Sequence, residues 1–325
     1  MVSLVETRTG AVIGMDLGGT KLSGALFSKE GEIIHRSEVL LEGKEGKEVG
    51  ALVVQHMLDL ESYAKNKDYY ISSIGICVPG ISNQSKRTVW APNIPGWKAY
   101  PLYKELKEGL SNPEIPVSIE SDRNCYILGE MWKGNARKCT NAMFMAIGTG
   151  IGIGIIANGQ IINGYSGIAG AIGWMAMDRP YRKEYGSCGQ FEFYASGTGI
   201  ANSAEQLLNQ GIKSKSLHAG KITTRKVFDA YEKNDPLAIQ VLEQSIEYWG
   251  MVVANLVSLF NPEKIIFGGG VFGPALQFLD RIFNEAAKWA QPISINEVQL
   301  LGTALGGDAG LIGAGQLAIR NQFTL

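Results

Sequence analysis

Apolar positions along the chain fall into short uninterrupted runs, alternating with a few stretches of helical period. Residues 11–34, AVIGMDLGGTKLSGALFSKEGEII, predict strand, glycine turn, strand, Glu-Gly turn, strand, because β-forming runs are punctuated by turn residues. Residues 142–162, AMFMAIGTGIGIGIIANGQII, repeat that order with the second turn at Asn158-Gly159. The two stretches end alike, EGEII and NGQII, about 130 residues apart, which points to a duplicated domain rather than a short-period solenoid. Between them, Leu52, Val53, His56-Met57, Leu60 and Tyr63-Ala64 have helical spacing over 49–65. ISSIGICVPG (71–80) predicts a buried strand and VWAPNIPGW (89–97) a loop. VSIE (117–120) predicts a strand that hands over to a helix at Ser121-Asp122-Arg123-Asn124. Residues 163–198 show little period and predict a long irregular excursion. Leu242, Ile246, Trp249, Val253, Leu256 and Phe260 form one helical stripe that Asn261-Pro262 ends. A strand KIIF (264–267) then runs into Gly268-Gly269-Gly270, and 303–319 predict a helix of small residues.

Composition narrows the classes. At 325 residues the chain has room for about two domains. Its 30 Lys+Arg against 31 Asp+Glu advertise neither nucleic acid nor an acidic membrane as partner. No apolar run reaches the roughly 18–20 residues of a membrane span, and MVSLVETRTG has no signal-peptide pattern, so a cytoplasmic protein is expected. Cys77, Cys125, Cys139 and Cys188 form no CxxC pair, and three histidines without HExxH offer no histidine metal site. The 41 glycines, nearly twice the usual share of about 7%, are the unusual feature.

Those glycines concentrate at three strand-to-turn junctions: Asp16-Leu17-Gly18-Gly19-Thr20-Lys21, Gly148-Thr149-Gly150-Ile151-Gly152 and Gly268-Gly269-Gly270. Glycine lets backbone N–H groups converge on an anion, and Thr20, Lys21 and Thr149 add donors, so phosphate is the expected guest. A tight hairpin is the alternative for any one of them. Asp16 is placed to hold Mg²⁺, directly or through water. No window satisfies GxxxxGK[ST], which excludes a Walker P-loop. Gly268 to Gly273 do satisfy GxGxxG after a strand, which keeps a dinucleotide-dependent oxidoreductase as a rival. Asp122 is the candidate general base, with a helix N-cap as its other reading. Glu192 and Asn93, in irregular segments, suit polyol binding or a solvated loop.

In this order the motifs resemble the ROK family of sugar kinases and sugar-responsive repressors, within the actin-like ATPase superfamily. The likeness rests on DLGGTK (16–21), VPG (78–80), APNIPGW (91–97), ESDRN (120–124), GTGIGIG (148–154), AGAIGW (169–174), EFYASG (192–197), NPEKIIFGGGV (261–271) and DAGLIGAG (308–315). It implies an α/β chain of two RNase-H-like domains with a ligand cleft between them. The expected division is 1–119, with a C-terminal helix 304–325 packing back on it, and 120–303. By the same likeness Asp16, Gly18, Gly19, Thr20 and Lys21 serve Mg-ATP phosphates. Gly148, Thr149 and Gly150 cradle them, and Gly268, Gly269 and Gly270 face the adenosine. Gly80, Asn93, Ser121, Asp122, Trp174 and Glu192 meet a sugar, with Asp122 as base, and a homodimer is implied.

Three departures stand inside those motifs. Where family glucokinases read Glu-Asn-Asp, this chain has Ser121 in the middle, and where they read Ala-Gly-Glu-Ile-Gly-His it has Ala171 and Trp174. Of the cysteines that accompany that histidine in a structural zinc site, only Cys188 stands nearby, so no zinc is expected. A site that loses those hydrogen bonds should disfavour plain glucose, and Trp174 offers an apolar face for a modified sugar, a glycoside, amino sugar or epimer. The plainer alternative is that Trp174 fills the space the zinc vacated. The activity expected is phosphoryl transfer from Mg-ATP to a sugar hydroxyl, most simply the 6-hydroxyl. A sugar-sensing protein without turnover is the rival reading. Family repressors carry a helix-turn-helix domain ahead of the first glycine motif, whereas 15 residues precede Asp16, so DNA binding is not expected.

Overall fold

A computed structural model describes residues 9–218 and 220–321, which divide into two units. The first unit is built on β1 (Thr9–Leu17), β2 (Lys21–Ser28), β3 (Ile33–Leu40), β4 (Tyr69–Val78) and β7 (Val117–Ser121), in the order β3-β2-β1-β4-β7. β1, β2 and β3 are antiparallel neighbours, whereas β4 and β7 run parallel to β1. A small hairpin, β5 (Ile81–Asn83) and β6 (Thr88–Trp90), follows β4. Ala11 to Ile13 and Met15 are fully buried, as a central strand covered on both faces must be. The helices beside the sheet are α1 (Gly46–Asn66), α2 (Leu102–Gly109), α3 (Asp122–Lys133) and α9 (Ala309–Asn321). α9 lies on β1, β4 and α3, its small residues allowing close approach.

The second unit repeats the topology. β8 (Ala142–Ile147), β9 (Ile151–Ala157), β10 (Gln160–Ile161), β11 (Lys264–Gly268) and β12 (Gln299–Gly302) form a sheet of order β10-β9-β8-β11-β12. Again the first three strands are antiparallel and the last two parallel, so the duplication read from EGEII and NGQII is a duplication of fold. The helices are α4 (Gln190–Ala195), α5 (Gly197–Asn209), α6 (Thr224–Tyr231), α7 (Pro236–Phe260) and α8 (Leu279–Ala286). α7 carries the predicted stripe into the core from Leu242 to Leu256, with Leu242 and Trp249 fully buried, whereas Phe260 at its last position is exposed. It starts on a capping Asp235 followed by Pro236 and ends at Asn261 in the left-handed conformation, φ 44°.

Three expectations shift. The first unit runs to Arg137 and also takes Asn163–Ala169 and the chain from Gly307 onward, so the boundary falls later than 119. The reason is that β7 pairs with β4, and the α3 that grows from it packs on α9. The terminal helix begins at Ala309, after a 3₁₀ turn at Gly306–Asp308, rather than at 303 or 304, and residues 322–325 of the expected span lie outside the described residues. Within the expected excursion 163–198, Gln190–Ala195 form the short helix α4 because Gln190, Phe191 and Ala195 are buried together.

Candidate active site

In the first unit the parallel strands deliver two acids to their carboxyl ends, the edge where open α/β sheets bind ligands. Asp16, next to last in β1, lies level with Ser23 of β2 and Cys77 of β4. Its carboxylate is packed against the first turn of α9, where a Cβ on Gly310 would overlap it, so only glycine fits there. A helix N-terminus favours the carboxylate, but burial dominates and pushes Asp16 above its ordinary value, against a Cys77 hydrogen bond and the Lys21 charge. Gly18 N–H donates to the Lys21 carbonyl at 2.9 Å to close the β1–β2 turn, Thr20 O accepts from Leu41 N–H at 2.9 Å, and Gly19 faces open space. Lys21 is not idle: its Nζ is 2.6 Å from Glu38 Oε2, which also accepts from Ser23 Oγ at 3.1 Å. Beside it Arg36 grips Asp308 with two hydrogen bonds of 3.0 and 2.7 Å, tying β3 to the start of α9.

Asp122 is the first residue of α3. Ser121 takes the N-cap position without a capping side-chain bond, so capping does not account for the acid. Asp122 Oδ1 accepts from the Arg123 N–H at 2.8 Å. Burial, with the Asp16 charge adding to it and Arg123 opposing, raises its carboxyl to about 6. Around it lies a polar network that the sequence motifs only partly announced. Glu120 accepts from Ser121 N–H at 2.8 Å, from Asn124 Nδ2 at 3.2 Å and from Asn163 Nδ2 at 3.2 Å. Yet Ser121 Oγ and Asn124 Oδ1 are buried with no partner among the described residues, a costly state that a ligand hydroxyl or water would relieve. Gly80 abuts the Trp90 carbonyl, and Asn93 stands exposed in the loop that Ala91 N–H closes onto Trp97 O at 2.8 Å.

The second unit contributes a cavity of about 790 Å³, whose walls include Gly148, Thr149, Gly197, Thr224, Arg225 and Gly270. Its floor is stitched by Gly197 N–H to Gly148 O at 2.8 Å and by Thr224 Oγ1 to Gly197 O at 2.6 Å. An added Cβ on Gly148 or Gly270 meets nothing within 4 Å, so both present bare backbone to open space. The other predicted glycines serve packing: Gly268 lies on the Phe144 ring, Gly269, with φ 89°, backs onto the Ile147 carbonyl, and Gly150 makes room for Glu192. A Cβ at Gly150 would come 2.8 Å from Glu192 Oε2. That carboxylate sits on α4 rather than in an irregular segment, accepts from Ile151 N–H at 2.6 Å, and is pushed upward by burial.

Trp174 is 58% exposed, so its indole fills no vacated space. The segment around it is held instead by Gln190, whose Oε1 accepts from Met177 and Asp178 N–H at 2.6 and 2.9 Å. Tyr185 and Tyr194 hydroxyls meet at 2.9 Å within an aromatic cluster that includes Phe193 and Tyr248. Glu38, Arg36, Asn163 and Thr224 were missed because each acts through a partner distant in sequence; Asn124 and Asp308 stood inside the quoted ESDRN and DAGLIGAG, without a role assigned.

The first unit thus supplies two strand-end acids beside unsatisfied polar atoms, and the second a cavity with bare glycine backbone. One carboxylate beside substrate phosphates is the usual protein share of a Mg²⁺ site, and Asp16 fits it. A glucokinase of Halalkalibacterium halodurans is 33% identical to this chain over 325 residues, 96% of each. A xylose repressor of Bacillus spizizenii is 28% identical, over 97% of this chain and 78% of its own. Among solved structures, a ROK-family glucokinase of Streptomyces griseus in complex with glucose and AMPPNP is 28% identical and superposes with a TM-score of 0.70, covering 96% of this chain and 100% of that one. The fold is that of the actin-like ATPases, each sheet one RNase-H-like domain. With residues 12–321 matched to the ROK family, this chain belongs to it.

Proposed function

We propose that the protein transfers the γ-phosphoryl group of Mg-ATP to a hydroxyl of a hexose or modified hexose, the 6-hydroxyl being the simplest acceptor. The observation that carries this reading is Asp122, a carboxyl raised to about 6 at the end of a parallel strand. Such a group is ionised at neutral pH and basic enough to take a proton as the acceptor oxygen develops its bond. The acceptor oxygen attacks the γ-phosphorus, the bond from that phosphorus to the bridging oxygen breaks, ADP leaves, and the hydroxyl proton passes to Asp122 Oδ. Ser121 and Asn124 stand on either side of Asp122 in the chain, each with one buried side-chain oxygen that has no partner among the described residues. Gly148, Thr149 and Gly270 offer backbone to the nucleotide in the second unit's cavity. Mg²⁺ held by Asp16 supplies charge neutralisation for the phosphates.

The test is magnesium-dependent ADP release across a panel of sugars, amino sugars, epimers and glycosides, with Asp122→Asn as control. Sugar-stimulated turnover that the variant loses by a factor of about 10²–10⁴ supports the assignment; an active Asn variant removes Asp122 as base. A second reading, a sugar-sensing protein without turnover, draws support from the repressor relative. ATP and sugar binding with no ADP release from any sugar would favour it.

A further inference from the structure

Two thiols stand beside Asp16 that the phosphoryl transfer does not use. Cys77 is the β4 residue paired directly with Asp16 of β1, and partners in a parallel ladder, about 4.8 Å apart, send their side chains to the same face of the sheet. That face is the one α9 covers: Gly310 is pressed on the Asp16 carboxylate, and Gly75, two residues before Cys77, meets the Ala314 carbonyl one helical turn later. Cys125 reaches the same place from α3, three residues on from Asp122, with Gly313 of α9 backed onto its carbonyl. Cys77, Cys125 and Ala314 form one fully buried cluster. One hydrogen bond joins Cys77 to the Asp16 carboxylate, and a second joins the two sulfurs.

The direction of both bonds follows from the number of protons. An ionised carboxylate can only accept, so Cys77 gives its single proton to Asp16, and Cys125 gives its own to the Cys77 sulfur. Burial pushes both thiols up, so both keep those protons at neutral pH. Asp16 has need of the donor, because burial disfavours its charge and α9 walls one side of it with bare glycine. A carboxylate that ligates a metal is normally aimed by such a partner, whose loss costs about 10- to 100-fold in affinity or activity. A thiol suits the position because it packs as a small apolar group and still donates. We propose that Cys77 is a positioning residue for the Mg²⁺-binding carboxylate of Asp16, and that Cys125 acts on Asp16 through Cys77, so that the helix carrying Asp122 is linked to the other acid by two thiols in series. This rests on the kinase reading above, in which Asp16 holds the metal.

The experiment titrates Mg²⁺ into the full chain with ADP and reads by calorimetry the Mg²⁺ concentration that gives half of the tightening of ADP binding, alongside the Mg²⁺ dependence of turnover with the best acceptor sugar. Cys77→Val nearly keeps the volume and removes the donor, and should raise that concentration about tenfold. Cys77→Ser supplies a hydroxyl donor and should hold it within about twofold of native. Cys125→Ala should raise it by a smaller factor, about threefold, and the double variant Cys77→Val/Cys125→Ala should match Cys77→Val alone, because the outer thiol works through the inner one. Cys77→Ala is read in the same way if valine proves too bulky for the contact with α9. A lowered unfolding midpoint with unchanged Mg²⁺ dependence in the Val and Ala variants, or a Ser variant that behaves as Val does, overturns the positioning role and leaves the kinase reading standing. Effects that multiply in the double variant overturn the series of two thiols. A native protein that neither binds ADP more tightly with Mg²⁺ nor turns over any sugar removes the kinase reading and the positioning role with it.

Discussion

Asp16 and Asp122 owe their chemistry to the same local device, a carboxylate at the end of a parallel strand beside a helix N-terminus, yet burial outweighs the helix in both. The consequence for Asp122 is a defined pH profile. On the proposed role of Asp122 as base, with its carboxyl raised to about 6, kcat/KM should fall tenfold per pH unit below that value and level off above it. A profile still flat at pH 4.5 would contradict the assignment. Gly270 allows a second check, since a side chain there meets only open space in the second unit's cavity. Gly270→Val should weaken ATP binding by about tenfold in titration calorimetry, about 1.4 kcal/mol, with the unfolding midpoint unchanged. At this scale the sequence motifs pointed to the acids and glycine turns, but not to the separate uses of the glycines. Gly148 and Gly270 face the cavity, whereas Gly150 serves Glu192 and Gly310 serves Asp16, a distinction set by neighbours brought in from 40 to nearly 300 residues away.

Elements were legible in proportion to their length and periodicity. α7 could be read from its stripe because 25 residues sample the helical period many times, and Asp235-Pro236 and Asn261-Pro262 mark its ends. α4 escaped because six residues between glycines carry no period, and only the burial of Phe191 and Ala195 makes them a helix. Asp235 does more than cap: it is fully buried, its Oδ1 accepts from Leu237 and Ala238 N–H, and its Oδ2 accepts from Ser214 Oγ and from Lys215 and Ser216 N–H. Asp235→Ala should therefore cost about 3 kcal/mol, more than an ordinary cap, and lower the thermal midpoint by roughly 5–10 °C. Burial alone would raise this carboxyl, but the hydrogen bonds outweigh it and hold it below its ordinary value. Its stabilisation is thus complete above the ordinary carboxylate range and lost as pH falls through the folded value, so the variant's deficit should shrink in acid.

Across the whole molecule, the cavity proposed for the nucleotide is lined entirely by the second unit, and the two acids stand entirely in the first. Asp122→Asn should accordingly bind ATP with a Kd within about twofold of native while losing turnover; a large loss of ATP affinity would mean that the acid supports nucleotide binding rather than catalysis. The duplicated topology was legible because both halves spell strand, glycine turn, strand, turn, strand, and a hairpin's signals are local. The excursion of Asn163–Ala169 into the first unit was not, since nothing in NGYSGIA says that Asn163 will meet Glu120 and Asn124.

The sequence by itself determined the α/β class, the repeat, the strand-end acids and the glycine junctions, because each is written in neighbours a few residues apart. Only the tertiary structure decided the rest: that Lys21 is paired with Glu38, that Arg36 and Asp308 join β3 to the start of α9, that Trp174 is open to solvent, and that Asn163 meets Glu120 and Asn124. Burial, charge pairing and hydrogen bonding depend on which distant segments pack together, and no local pattern encodes that.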